Sequence, residues 1–188
     1  MRFVLQPSDA SIFVSDEAGR DVCWVEGPTG RLGRWSVRDL AGAELASVRQ
    51  HGSPFQHRFG IYASGRRVAT LEEQPAGRLP RAAAALRNAV LGAPRRIRYA
   101  VDVVGGEPLR IEGDPMALEY AFLRRGREVA TVSAYWLTGA LTWGATVTLA
   151  GPDDTLVLLA AAATIEIAWG RLGPRSSQPA PVLSAARR

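Results

Sequence analysis

One stretch of this chain occurs twice. Phe59-Gly60-Ile61-Tyr62-Ala63-Ser64-Gly65-Arg66-Arg67-Val68-Ala69-Thr70-Leu71 returns as Tyr120-Ala121-Phe122-Leu123-Arg124-Arg125-Gly126-Arg127-Glu128-Val129-Ala130-Thr131-Val132. An aromatic opens both copies, Gly65 and Arg66 answer to Gly126 and Arg127, and Val-Ala-Thr closes both. Each copy reads as two short strands around a glycine turn, because glycine supplies the positive φ that a tight hairpin demands. A hairpin written twice predicts a sheet built twice, hence a β structure made of two pseudo-repeats.

The alternation that defines those strands runs through most of the chain. It covers Arg2–Gln6, Ser11–Ser15, Asp21–Glu26, Arg34–Leu40, Glu44–Gln50, Arg58–Ala63, Arg66–Glu72, Arg96–Val104, Pro108–Gly113, Glu119–Arg124, Arg127–Trp136 and Thr142–Ala150. A period of two sends one set of side chains inward and the other outward. Between the runs stand turn residues, as in Asp16-Glu17-Ala18-Gly19, Asp39-Leu40-Ala41-Gly42 and Gly105-Gly106. Aspartate bonds its own backbone there, and glycine tolerates the left-handed region. Many short strands with regular turns indicate a sandwich or a barrel.

Two segments depart from this pattern. Residues 74–95, rich in Ala, Pro and Arg, form an insert between the halves, either a linker or a short helix over Arg81–Leu91. The other is Thr155–Trp169, preceded by Pro152, Asp153 and Asp154 and followed by Gly170, which are helix boundary signals. It carries one charge, Glu166, and is apolar on nearly every side. Such a helix must be enclosed all round. At 1.5 Å per residue it spans roughly 22 Å, short of the roughly 30 Å hydrocarbon core of a bilayer. The Ala160–Ala163 run makes it thin, suited to enclosure by protein. In a chain of strands the natural enclosure is a barrel closed around it. Residues 1–172 are expected to form that domain and 173–188 a disordered tail.

Composition sets wide bounds. At 47% hydrophobic and 22% charged, the chain has the apolar content of a globular protein. Its basic residues are all arginine, and the formal charge of +5 permits an anionic partner while falling short of requiring nucleic acid. A single cysteine, Cys23, excludes an internal disulfide framework and a cysteine-rich zinc site. It stands in the strand-like Asp21–Val25 and is expected to be buried. Met1-Arg2-Phe3 opens straight into an alternating run with no leader pattern, so the expectation is a cytoplasmic protein.

These features together resemble the LURP-one-related family, grouped with the tubby C-terminal-like and phospholipid scramblase proteins. The likeness runs over most of residues 2–170. It is carried by Trp35–Leu45, by Phe59–Tyr62, by Gly65–Ala69, by Leu109–Gly113, by Tyr120–Phe122, by Gly126–Ser133 and by the apolar helix with Glu166 near its end. The resemblance implies a closed antiparallel barrel of about a dozen strands with the C-terminal helix threaded through its centre. It also implies that Glu166 is the counterpart of an acidic residue that the family carries near the end of that helix. The chain departs from the family in its longer, Ala-rich insert and in having arginine where lysine is common.

Candidate sites follow. His51 and His57 flank Ser53, but no third group completes a triad or a metal set, and no phosphate-cradling glycine loop is present. The expectation is therefore a non-enzymatic protein without a cofactor. Asp153 and Asp154 are read as helix caps. The repeated turns are basic, with Arg66 and Arg67 in one and Arg124, Arg125 and Arg127 in the other, and Arg95, Arg96 and Arg98 form a third cluster. Arginine grips phosphate bidentately, which makes these residues candidates for anionic phospholipid headgroups. Phosphoinositide binding by tubby-like relatives is what the resemblance adds. Glu166 is a candidate calcium ligand only by analogy with scramblase relatives, since calcium takes six to eight oxygens. Trp136 and Trp143, around a turn, are candidates for a bilayer interface.

The leading expectation is thus a monomeric binding or scaffold module, with anionic membrane or a protein as partner. A scramblase-like membrane protein would need Thr155–Trp169 in lipid. A small-ligand carrier would need space inside the barrel.

Overall fold

Twelve strands account for the alternating runs: β1 (Arg2–Pro7), β2 (Ser11–Asp16), β3 (Asp21–Thr29), β4 (Arg34–Asp39), β5 (Glu44–His51), β6 (Arg58–Ala63), β7 (Arg66–Gln74), β8 (Ile97–Val103), β9 (Leu109–Asp114), β10 (Glu119–Arg124), β11 (Arg127–Trp136) and β12 (Trp143–Leu149). Among the described residues one helix, α1 (Thr155–Ala168), follows. The structure, a computed structural model, describes residues 1–8, 11–29, 33–51, 58–74, 97–114, 117, 119–136, 143–152 and 154–168. The 75–96 part of the insert, with its expected helix and Arg95 and Arg96, lies outside the described residues, as do Ser53, His57 and the tail.

Each strand pairs antiparallel with its neighbours in sequence, and β1 pairs with β12 to close the ring. The seam runs from Arg2↔Thr148 to Leu5↔Ala145, and the Leu149 amide donates to the Met1 carbonyl at 2.7 Å. Closure leaves no free edge among the described strands. Inward positions carry the core: Leu5, Val14, Val25, Val37, Val48, Ile61, Leu71, Tyr99, Ile111, Phe122 and Val147 are all buried.

Side chains alone fill a barrel of about eight strands, and wider barrels need a channel or a plug. Here α1 is the plug. Ten consecutive residues, Val157 to Glu166, are buried, so the helix is covered on every face. It comes closest to β5, β6, β7 and β12. Three of these strands turn a buried alanine inward (Ala46, Ala69 and Ala145), opposite a helix that offers Ala160–Ala163. Small residues on both sides let helix and sheet approach closely. The enclosure expected from an all-round apolar helix is thus provided by the strands. The lipid-inserted helix of the scramblase-like reading and the empty interior of the carrier reading are both replaced by this packing.

The ring topology fixes which connections share an end. The β2/β3, β4/β5, β6/β7, β8/β9 and β10/β11 turns and the β12/α1 link all lie at one end, here called the turn end. The β11/β12 connection, with Trp136 paired to Trp143, lies at the other. In β6/β7 the turn residues Ser64 and Gly65 have φ of 50° and 75°, and in β10/β11 Arg125 and Gly126 have 51° and 76°. Positive φ at both central residues is the type I′ signature, whose twist matches that of the strands.

The repetition goes further than the sequence suggests. Val68 and Val129 are skipped by the pairing in their hairpins, each forming a bulge at the same place. Val22 and Leu45 are skipped in the same way in β2/β3 and β4/β5. In those two turns the Asp16 and Asp39 Oδ1 atoms accept from the amides two and four residues on, at 2.8 to 3.0 Å. Two strand ends also differ from the alternating runs. Leu40 and Val104 extend their runs in sequence, but both leave the ladder and stand in turns.

Candidate functional site

The two basic hairpins bring their arginines to the turn end, with the β8/β9 turn between them. Four strand spacings of about 4.8 Å place the hairpin centres about 19 Å apart around the rim. Arg66, Arg67 and Arg127 are exposed and make no ion pair among the described residues. Arg125 is exposed and pairs with Glu107 of the neighbouring β8/β9 turn.

Arg124 differs from the rest. It continues the inward phase of Tyr120 and Phe122, so its side chain points to the barrel mouth, where it pairs with Asp154 just before α1. Both side chains are about a quarter to a third exposed, at 26% and 30%. Asp154 itself has a φ of 60°. Of the two carboxylates expected to cap the helix, Asp154 is engaged with this guanidinium and Asp153 lies outside the described residues. The Thr155 hydroxyl donates to the Pro152 carbonyl at 2.6 Å at the same link.

A cleft of about 440 Å³ lies at this hairpin, lined by Glu107, Arg124, Arg125, Arg127 and Val129. Glu107 and Arg125 also line a second cleft of about 950 Å³ on the outside of β8 to β10, to which Arg98 and Arg110 belong. Glu112 lies 3.8 Å from Arg98 and 3.5 Å from Arg110. The structure therefore joins Arg98 to Arg125 through β9, a grouping set by strand register. Arg110 and Glu107 had escaped notice because neither lies in a basic run.

The other candidates fall elsewhere. Glu166 is fully buried and accepts from the Tyr120 hydroxyl at 2.7 Å. Burial, together with the neighbouring Glu166, holds the Tyr120 phenol well above the ordinary range. Two residues before, the Trp35 indole donates to the Thr164 hydroxyl at 3.2 Å, which donates to the Ala160 carbonyl at 2.6 Å. This end of the helix is the one remote from the arginine turns. No group of three or more His, Cys, Asp and Glu side chains gathers among the described residues. His51 Nε2 sits 3.1 Å from the Tyr62 hydroxyl, and the Arg49 guanidinium lies 4.8 Å from the centre of that ring. Cys23 is buried as expected, and burial pushes its thiol up to about 11. Trp136 and Trp143 and the arginine turns occupy opposite ends, so they do not form one surface.

A further polar ladder lies outside β3 to β5. Glu44 accepts from Arg34 and from the Ser36 hydroxyl, at 3.0 and 2.9 Å, and Arg38 bonds Glu26 at 2.8 Å. Partial burial acts to raise the Glu44 carboxyl, but the Ser36 bond and the Arg34 charge outweigh it and hold the group below its usual value. These charges are matched in pairs and leave little for a ligand.

The architecture is shared with a solved protein. The X-ray structure of a protein from Arabidopsis thaliana superposes with a TM-score of 0.56, covering 88% of this chain and 90% of that one, at 12% sequence identity. At that identity the likeness is one of fold: a twelve-strand ring with a C-terminal helix. No family model matches the chain, and no curated protein matches it. No helix among the described residues is long and apolar enough to cross a membrane.

Proposed function

We propose that this protein is a non-catalytic binding module of the LURP-one-related, tubby-like kind that holds anionic phospholipid headgroups at its arginine rim. The observation that carries this reading is the occupied interior. With α1 filling the barrel, recognition is left to the outer surface, and there Arg66, Arg67 and Arg127 present charge that no described acidic group offsets. Guanidinium groups bind phosphate oxygens in pairs, so an anionic headgroup matches their chemistry. The fold likeness to the Arabidopsis protein supports the tubby-like assignment, and the resemblance of Trp35–Leu45 and Gly126–Ser133 to the family supports the narrower one.

Vesicle flotation tests the reading. The protein is expected to float with phosphatidylserine-containing vesicles at low salt and to be released as salt shortens the reach of surface charge. Each arginine near an anionic surface is worth about 1 kcal/mol, so Arg66→Ala, Arg67→Ala and Arg127→Ala together should weaken binding roughly a hundredfold. Equal flotation with neutral and anionic vesicles would sink the proposal.

A further inference from the structure

The most exposed large apolar side chains of the described surface are gathered at one end. Met1, Leu40 and Val104 are 59%, 60% and 65% exposed, and all three stand at the turn end. Leu40 is in the β4/β5 turn and Val104 in the β8/β9 turn. Neither packs into the core, and turn positions favour glycine, asparagine, aspartate and serine. Turn chemistry therefore gives no reason for a leucine and a valine here. Their backbones are fixed all the same. The Val104 amide donates to the Val68 carbonyl at 2.8 Å, and Asp39 Oδ1 holds the amides of Ala41 and Ala43 on the far side of Leu40.

Their order around the rim is the informative part. From β4 to β11 the turns read Leu40, then Arg66 and Arg67, then Val104, then Arg125 and Arg127. Apolar and basic turns alternate. Leu40 and Val104 are four strand spacings apart, about 19 Å, with the unpaired arginines of β6/β7 between them. An interfacial protein combines these two elements, apolar groups entering the boundary of headgroups and acyl chains by about 5–10 Å and cations at the phosphates. Turns projecting from a barrel end suit a deformable flat surface better than the grooves of a folded partner. Across the ring from Val104, the β2/β3 turn carries Glu17, which belongs away from anionic lipid, whereas Glu107 in Val104's own turn is neutralised by its pairing with Arg125.

We infer that the barrel docks end-on to an anionic membrane, with Leu40 and Val104 inserted at the interface and Arg66, Arg67 and Arg127 on the headgroups. The barrel tilts so that the β2/β3 turn is lifted. This inference rests on the headgroup reading above and adds to it the inserting residues and the orientation.

Environment-sensitive labels test it on the full chain. Leu40→Cys, Val104→Cys and, as a control on the barrel wall, Ser133→Cys are each labelled with a nitrobenzoxadiazole probe. The native Cys23 is buried and its thiol stays protonated, so labelling favours the introduced thiol. On mixing with phosphatidylserine–phosphatidylcholine vesicles, probes at 40 and 104 should brighten several-fold and shift to the blue, and the probe at 133 should not. Leu40→Ser combined with Val104→Ser should weaken vesicle binding about tenfold or more while leaving the circular dichroism spectrum unchanged. Arginine-dependent binding with silent probes at 40 and 104 would overturn end-on insertion and leave the headgroup reading standing, and a blue shift at 133 would overturn the orientation. Failure of the unsubstituted protein to bind anionic vesicles at low salt would overturn both.

Discussion

Where the β6–β7 hairpin has Phe59, the β10–β11 hairpin has Tyr120, and where the first has Ala63 the second has Arg124. The backbones match in turn type and in bulge position. The inward side chains do not. Phe59 packs against Trp35, ring centres 5.5 Å apart, and contributes apolar bulk. Tyr120 puts a hydroxyl in the same layer and donates it to Glu166 near the end of α1. Arg124 reaches the start of the same helix through Asp154. The second copy therefore clamps the helix at both ends, and the first has its arginines left over at the surface. Repetition preserved what the backbone needs. A single helix inside a repeated ring cannot meet every copy alike, and the polar differences fall where it is met.

This comparison can be broken at three levels. The largest effect is expected from Tyr120→Phe, which leaves a buried Glu166 oxygen without its phenol donor. Equilibrium urea denaturation should show a loss of about 1–3 kcal/mol. An unchanged midpoint would mean that the clamp contributes nothing at that end. Next come Gly65→Ala and Gly126→Ala. No atom lies within 4 Å of a Cβ at either site, so the cost is that of the left-handed backbone alone, about 1–2 kcal/mol each. The two losses should agree, and a clear inequality would show that the copies are not equivalent turns. The smallest effects concern the arginines. Arg124→Ala should cost about 0.2–1 kcal/mol, in keeping with a partly exposed ion pair. Arg66→Ala should leave the thermal midpoint essentially where it was. A larger loss at Arg66 would give the first copy a structural role that its position does not suggest.

Much of the fold was legible because its elements are set locally. Alternation places each strand, and glycine, joined by aspartate at β2/β3 and β4/β5, places the described hairpin turns, so every alternating run in the sequence corresponds to a strand of the ring. The barrel followed from one long-range argument, that a rod as apolar as Thr155–Trp169 needs cover on all sides. The candidate site was less legible. Which arginines carry unpaired charge depends on neighbours across the sheet, as with Arg125 and Glu107, whose turns are brought side by side only by the β9–β10 pairing. Arg124 could have been separated from the rest by parity, since an arginine in phase with Tyr120 and Phe122 points inward. Asp154 could not, because its partner is supplied by the closed ring. The bulges at β2/β3 and β4/β5 escaped detection because those hairpins turn through longer, aspartate-braced loops and share little sequence with the repeat. Leu40 and Val104 looked like strand ends, and only the ladder shows that they have left it.

The helix comes after the last strand, separated from it by residues 150–154 alone. The ring is closed at every strand pair and the helix is covered on every face, so the staves are expected to assemble around it. Of the twelve strands β1 is synthesised before the others and waits for β12, and until then the newborn sheet carries two bare flanks. Trimming the carboxyl end before Thr155 would thus remove the mandrel on which the hoop is wound, and with it the step that seals those flanks.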